Sequence, residues 1–382
     1  MSVFLKSLSE TQAKQRFALF AQGESSHLVY DLHLHLHKGT EYSGAMKITF
    51  DLASVSSNLF VDAAVSTITG LIVNGVALEN KDNYASLRDD RFLTIPEANL
   101  KVGRNTVSIQ YKNAYVTDGN GLHTFTDTDG KQYLYSNSEP YHANKAFPCF
   151  DQPDLKASWE LSVAAPVDWE IISNEFCTSE EQANLNVCSC GIPEEDKEVK
   201  LWKFAPTKRI SSYLFVVVAG PYSKIKAENT YKGISTSLYC RESLFKYLKE
   251  QADEIIEINS EGMRFYEEFF GYPYPFSKYD FIYCPEYNVG AMENPGAVTF
   301  NDRLIFRDDV TLQQRTNRAR TTLHELAHMW FGNLVTMKWW NDLWLNESFA
   351  DFISFVSMEK VRPKLTKVKL VEPMLEFFRR KW

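Results

Sequence analysis

Residues 324–328 read His-Glu-Leu-Ala-His, and a further glutamate, Glu347, follows after 18 intervening residues. Two histidines at i and i+4 lie on one helical face about a turn apart, close enough to grip a single ion. This spacing demands a helix over 324–328 and a second segment that returns Glu347 to the same point. His324, His328 and Glu347 leave a fourth position open, the ligand set that hydrolytic zinc requires, with one ion expected per chain. Glu325 points elsewhere on the helix and is free to take a proton from water. The plain alternative is an exposed helix that happens to carry two histidines. Against it, the run from Thr321 to Phe331 is mostly apolar and reads as buried. Buried histidine and glutamate need partners, and a metal satisfies all of them together.

At 382 residues the chain exceeds the usual limit of a single core, about 250–300 residues, so two domains are expected. A hydrophobic content of 44% with 24% charged residues describes a globular chain and not a disordered one. The net charge of −8 argues against a general nucleic-acid binder. Up to about Tyr222 the pattern is that of strands. His27 to His37 alternates, Lys47 to Leu52 and Val107 to Tyr111 continue it, and Leu71 to Leu78 forms a hairpin around Asn74-Gly75. His33, His35 and His37 share one strand face, which reads as solvated polar surface rather than a metal site. Ser179 to Lys200 is polar and acidic and reads as a surface loop. Beyond Gly220-Pro221 the spacing becomes helical. It predicts helices over Ser243–Phe270 (Ser243 near the cap, Gly271 at the end), Leu312–Leu334 and Asn346–Val361, with a short strand at Tyr279–Cys284. The expected division is 1–222 and 223–382.

The metal motif belongs to a longer recognisable stretch. His324-Glu-Leu-Ala-His-Met-Trp-Phe-Gly-Asn-Leu-Val-Thr-Met-Lys-Trp-Trp-Asn-Asp-Leu-Trp-Leu-Asn-Glu347-Ser-Phe-Ala closely resembles the zinc aminopeptidase N family, a gluzincin group. Gly290-Ala291-Met292-Glu293-Asn294 is similar to that family's exopeptidase motif, and Phe147-Pro-Cys-Phe-Asp-Gln-Pro-Asp154 to its amino-domain signature. The resemblance runs from about Leu28 to Trp382. It implies an α+β chain: a β-rich, saddle-like amino-terminal domain, then the first half of a thermolysin-like catalytic domain.

An enzyme of that family removes the first residue of peptides with a free α-amino group. The resemblance gives the capture of the substrate ammonium to Glu293 and to Glu139, since carboxylates near the metal pair strongly with a cation in a water-poor cleft. Solvated loop carboxylates are the alternative for both. The backbone of Gly290 and Ala291 would line the substrate strand, with Met292 and Asn294 in the same binding segment. Glu325 would be general base and then pass its proton to the leaving amine. Asp351, four residues beyond Glu347, would orient His324 through its second ring nitrogen, or else be an ordinary surface acid of the helix.

The family also uses a tyrosine on the oxyanion of the tetrahedral intermediate, well beyond the second zinc histidine, and no tyrosine follows Tyr287 here. This points to a chain truncated at its carboxy end. So does the stretch Glu359–Trp382, whose eight Lys or Arg alternate with apolar residues as in a helix lacking its packing partners. Met1 to Arg16 has no apolar core flanked by basic residues, and no stretch approaches the roughly 20 apolar residues of a membrane span, so a cytoplasmic protein with free thiols is expected. Cys188-Ser-Cys190 lacks a second pair at zinc-site spacing. Two other functions stay open: a non-catalytic peptide-binding fragment, and an epoxide-hydrolysing relative, whose motif begins Gly-Gly where this chain has Gly290-Ala291.

Overall fold

The computed structural model describes residues 8–21, 27–56, 59–184 and 198–365. The chain is α+β, with the strands concentrated in its first part. An eight-stranded sheet runs in the order Cys177–Asn184, Glu198–Phe204, Ser158–Pro166, Leu28–His35, Glu41–Leu52, Gly103–Ala114, Thr67–Val73, Val76–Ala77. Leu28–His35 pairs parallel with Ser158–Pro166, and the other pairings are antiparallel. Alternation along Leu28–His35 sends Leu28, Tyr30, Leu32 and Leu34 inward and leaves His33 exposed, as a period of two requires. A second sheet has four strands, in the order Glu170–Ser173, Val217–Gly220, Gln132–Asn137, Gly121–Thr126, and its residues share one apolar core with the first sheet. The hairpin around Asn74-Gly75 forms as expected, with φ of 49° and 83° at the two turn residues.

The later part is built on a five-stranded sheet, ordered Ser223–Lys226, Ser237–Cys240, Asp280–Cys284, Ala297–Asn301, Ala291–Met292. A second apolar core lies between this sheet and three helices of the site region. With the amino-terminal helix, Glu10–Leu19, counted as α1, these are α2 (Phe245–Phe270), α3 (Leu312–His328) and α4 (Leu343–Leu365). The Tyr266 hydroxyl on α2 donates to the Leu323 carbonyl at 2.9 Å and lies 2.9 Å from Ser357 Oγ, joining three helices at one buried point. At Gly262 a Cβ would come within 2.4 Å of Leu323, so α2 and α3 approach closely there.

Several boundaries differ from the sequence expectation. Helix α3 stops at His328 and not at Leu334, because the chain turns through Gly332 at φ 130°. Helix α4 begins three residues before Asn346, after the 3-10 turn Trp340–Asp342, and continues past Val361. Ser243 does not cap α2: it stands in the 3-10 turn Glu242–Leu244, and its hydroxyl donates to Asp127 at 2.8 Å. Gly271, at φ 64°, ends α2 in the left-handed conformation. Both ends of Ser179–Lys200 are paired strands; residues 185–197, with Cys188 and Cys190, lie outside the described residues, as does most of the basic stretch, 366–382. Helix α1 opens a part of the chain that had read as β. Its signal was Ser9-x-x-Gln12, which forms a capping box. Among the described residues no helix is long and apolar enough to cross a membrane.

Candidate metal and peptide site

Helix α3 presents His324 and His328 on one face, and α4 brings Glu347 against them. Nε2 of His324 lies 3.1 Å from Nε2 of His328 and 3.3 Å from one Glu347 oxygen, while the other Glu347 oxygen is 3.5 Å from His328 Nε2. Donor atoms of these three residues all fall within 4.8 Å of one another. The His328 Nδ1 is 3.1 Å from the Phe331 carbonyl; donating there leaves Nε2 with its lone pair turned to the cluster.

The electrostatics follow from burial. His328 is 1% exposed, and burial together with the neighbouring His324 lowers its pKa to about 4, the neutral form a ligand needs. Burial opposes charge on His324, but the hydrogen bond to Glu347 and the charges of Glu325 and Glu347 outweigh it and raise its pKa. Burial likewise opposes charge on Glu347, yet the hydrogen bond to His324 and both imidazoles hold its carboxyl below the usual range. Glu325, on the same helix, is 5% exposed; burial pushes it up to about 7, with His324 pulling down and Glu347 pushing up.

Two further carboxylates enter from other elements. Glu293 follows the short strand Ala291–Met292 and is buried. Glu139 comes from the loop after Gln132–Asn137, at the cis Glu139–Pro140 bond. Carboxylate oxygens of Glu139, Glu293 and Glu347 lie within 4.8 Å of one another, and Glu293 forms a second such group with Glu325 and His328. One oxygen each of Glu139, Glu293 and Glu347 is enclosed with no hydrogen-bond partner. Burial first, then Glu347 and Glu325, raise Glu139 to about 8; burial, then Glu139, Glu347 and Glu325, raise Glu293 well above its ordinary value. Buried acceptors left unpaired at this density are costly, and a bound cation relieves them. The donor set therefore fits a divalent metal at the histidines and a cationic group at Glu139 and Glu293.

Within Gly290–Asn294, Ala291–Met292 forms the outer strand of the five-stranded sheet. Ala291 and Met292 pair with Phe300 and Thr299, and their strand stands at the end of the sheet order. A Cβ on Gly290 would meet nothing within 4 Å, so the chain's own packing does not demand glycine there. Asn294 is buried and donates to Thr299 Oγ1 at 3.1 Å, a structural bond beneath the strand. Asp351 is exposed, 3.9 Å from Arg320, and acts on His324 by charge through space.

Three supporting residues escaped the sequence reading. Asn333 donates to the Glu293 carbonyl at 2.7 Å, Lys156 donates to the carbonyls of Asn333 and Leu334, and Gly332 packs on the His328 ring. Gly332 and Asn333 stand inside the recognised stretch, but only the turn after α3 gives them their task. Lys156 carried no local signal at all.

A family model described as the Peptidase M1 N-terminal domain matches residues 26–214, and one described as the Peptidase family M1 domain matches residues 255–379. The chain is 39% identical over 351 residues to an aminopeptidase N of Streptomyces lividans, covering 90% of this chain and 38% of that protein. It is 31% identical to a leucyl aminopeptidase of Saccharolobus solfataricus, covering 85% and 38%, and 29% identical to aminopeptidase M1 of Arabidopsis thaliana, covering 83% and 34%. The chain thus spans less than two-fifths of the length of these curated relatives. With matches over both its strand-rich part and the two helices that carry the histidines and Glu347, the chain belongs to peptidase family M1.

Proposed function

We propose that this chain carries the zinc ligands and substrate anchor of an aminopeptidase, acting on peptides with a free α-amino group. The observation that supports it best is the pairing of two unlike groups in one cleft. His324, His328 and Glu347 offer a metal three ligands, while Glu139 and Glu293 present buried carboxylate oxygens lacking hydrogen-bond partners beside them. His324, His328 and Glu347 would hold a zinc ion, which would supply polarisation of a carbonyl and a more acidic water.

The remaining steps belong to the protein. Glu139 and Glu293 pair with the substrate ammonium, whose charge offsets the repulsion among the acids. The outer strand Ala291–Met292 receives the extended peptide backbone. Glu325, with a pKa near 7, removes a proton from the attacking water and later delivers it to the leaving amine. An endopeptidase has no use for a carboxylate pair that anchors a substrate ammonium. The division of the chain at about residue 222 and a cytoplasmic location, with buried free thiols at Cys149, Cys240 and Cys284, belong to the same proposal.

The test is zinc content and hydrolysis of aminoacyl-amide substrates by the 382-residue chain, beside Glu325→Gln. One zinc per chain with activity lost in the variant supports the reading. Zinc without turnover in either protein removes catalysis from this chain and leaves peptide binding. No zinc in either removes the metal assignment.

A further inference from the structure

Helix α1 lies ahead of residues 26–214, the part matched by the amino-domain family model, yet it touches two of the segments that bring carboxylates to the site, those of Glu139 and Glu347. Its first contact is with the approach to α4. Leu8 and Ala13 form a small apolar cluster with Trp339 and Tyr141, and Asn341 donates to Glu10 at 2.8 Å. Trp339 and Asn341 flank and enter the 3-10 turn from which α4 starts, and Glu347 is the fifth residue of α4. Trp340, between them, packs edge-on against Tyr213 at 5.2 Å.

Its second contact is a buried ion pair. Arg16 is 1% exposed; its Nε donates to Gln152 at 2.9 Å and its Nη1 to Asp62 at 2.5 Å, with the guanidinium 4.6 Å above the Phe60 ring. The other Asp62 oxygen accepts from the Tyr141 hydroxyl. Tyr141 stands two residues after Glu139, across the Glu139–Pro140 bond. Gln152 closes the arrangement by donating to the Ala13 carbonyl at 3.2 Å. A pair buried this completely holds its neighbours in one arrangement, since loss of either partner leaves a charge stranded.

We propose that α1 is a positioning element of the metal site: its Glu10 and Ala13, with Leu8 just ahead of it, set the start of α4 and so Glu347, and Arg16, through Asp62 and Tyr141, sets the backbone that carries Glu139. The importance of those two glutamates rests on the function proposed above; the mechanical coupling does not.

The experiment uses the 382-residue chain and two alterations. Leu8→Ala with Glu10→Ala loosens the first contact and leaves the ion pair whole, while Arg16→Met removes the second, with Arg16→Lys as its conservative control. Amide hydrogen exchange is followed over residues 339–350, 138–145 and 255–270, the last lying in α2. The double variant should speed exchange over 339–350 by about tenfold with 255–270 unchanged, and Arg16→Met should do the same over 138–145, with Arg16→Lys closer to the parent. Zinc affinity, by chelator competition, should fall by about tenfold or more in the double variant. Unchanged exchange over 339–350, or an equal rise in all three segments, overturns the proposal. Should Arg16→Met not fold, the double variant decides. A parent chain that binds no zinc removes the function proposed above, and the exchange result still stands or falls alone.

Discussion

Gly332 packs directly on His328: a Cβ built on it would lie 2.9 Å from Nδ1 of the histidine ring and 3.6 Å from Asn346 Nδ2. The same residue sits at φ 130° and ends the helix that holds both histidines. One backbone position therefore controls where α3 stops and how closely the chain wraps the His328 imidazole.

Gly332→Ala should consequently act on the metal more than its size suggests. The strained backbone alone costs about 1–3 kcal/mol. Displacement of the ring from the Phe331 carbonyl should weaken zinc binding by about 10–100-fold. Thermal unfolding and chelator competition measure the two effects, and a variant with parental zinc affinity would show that the close packing does not orient His328.

Glu325→Gln should separate metal binding from chemistry. His324, His328 and Glu347 remain, so zinc content should stay at the parental value, while hydrolysis should fall by about 10²–10⁴-fold with the loss of the proposed proton carrier. If zinc disappears as well, Glu325 holds the metal or the fold instead of a proton.

Glu293→Ala should distinguish substrates by their amino terminus. A charge-assisted bond to an ammonium is worth about 1.5–3 kcal/mol, so binding of free-amine peptides should weaken about 10–100-fold. Peptides with an acetylated terminus should lose far less. Inhibition constants for matched free and blocked peptides make the comparison, and equal losses would remove the anchor from Glu293.

Asp151 gives the fold a pH dependence of its own. It is fully buried, and burial together with Asp62 pushes its carboxyl from 3.8 up to about 6. A raised folded pKa means that the native state holds the proton more tightly than the unfolded chain. The associated stability is present below pH 3.8 and is lost as pH rises through 6, about 3 kcal/mol in all. Denaturant unfolding at pH 4 and pH 7 should show the parent losing about 2 kcal/mol more than Asp151→Asn across the interval. Parallel losses in the two proteins would mean that Asp151 ionises alike in both states.

Much of the candidate site is local in the chain and was legible there. His324, Glu325 and His328 share five residues of one helix, so a spacing of four is itself a geometry. The alternation of Leu28–His35 and the turn at Asn74-Gly75 are equally local, because a strand's period and a tight turn's φ values are satisfied within a few residues. The resemblance pointed to Glu139 and Glu293, but their convergence required three separate elements to meet.

What the sequence by itself determined is the spacing of the candidate ligands, a strand-rich stretch followed by a helical one, and the family to which the chain belongs. Tertiary structure alone decided which carboxylates are buried and unpaired, that Gly332 rather than the apolar run ends α3, and that Asp351 faces Arg320. It alone decided, too, that a capped helix at the start of the chain reaches the approach to Glu347, 331 residues away along the contact from Glu10 to Asn341. The physical reason is range. Helical and strand periodicity and turn geometry act between residues a few positions apart. Burial, desolvation and a shared ion pair arise only where distant segments exclude water together.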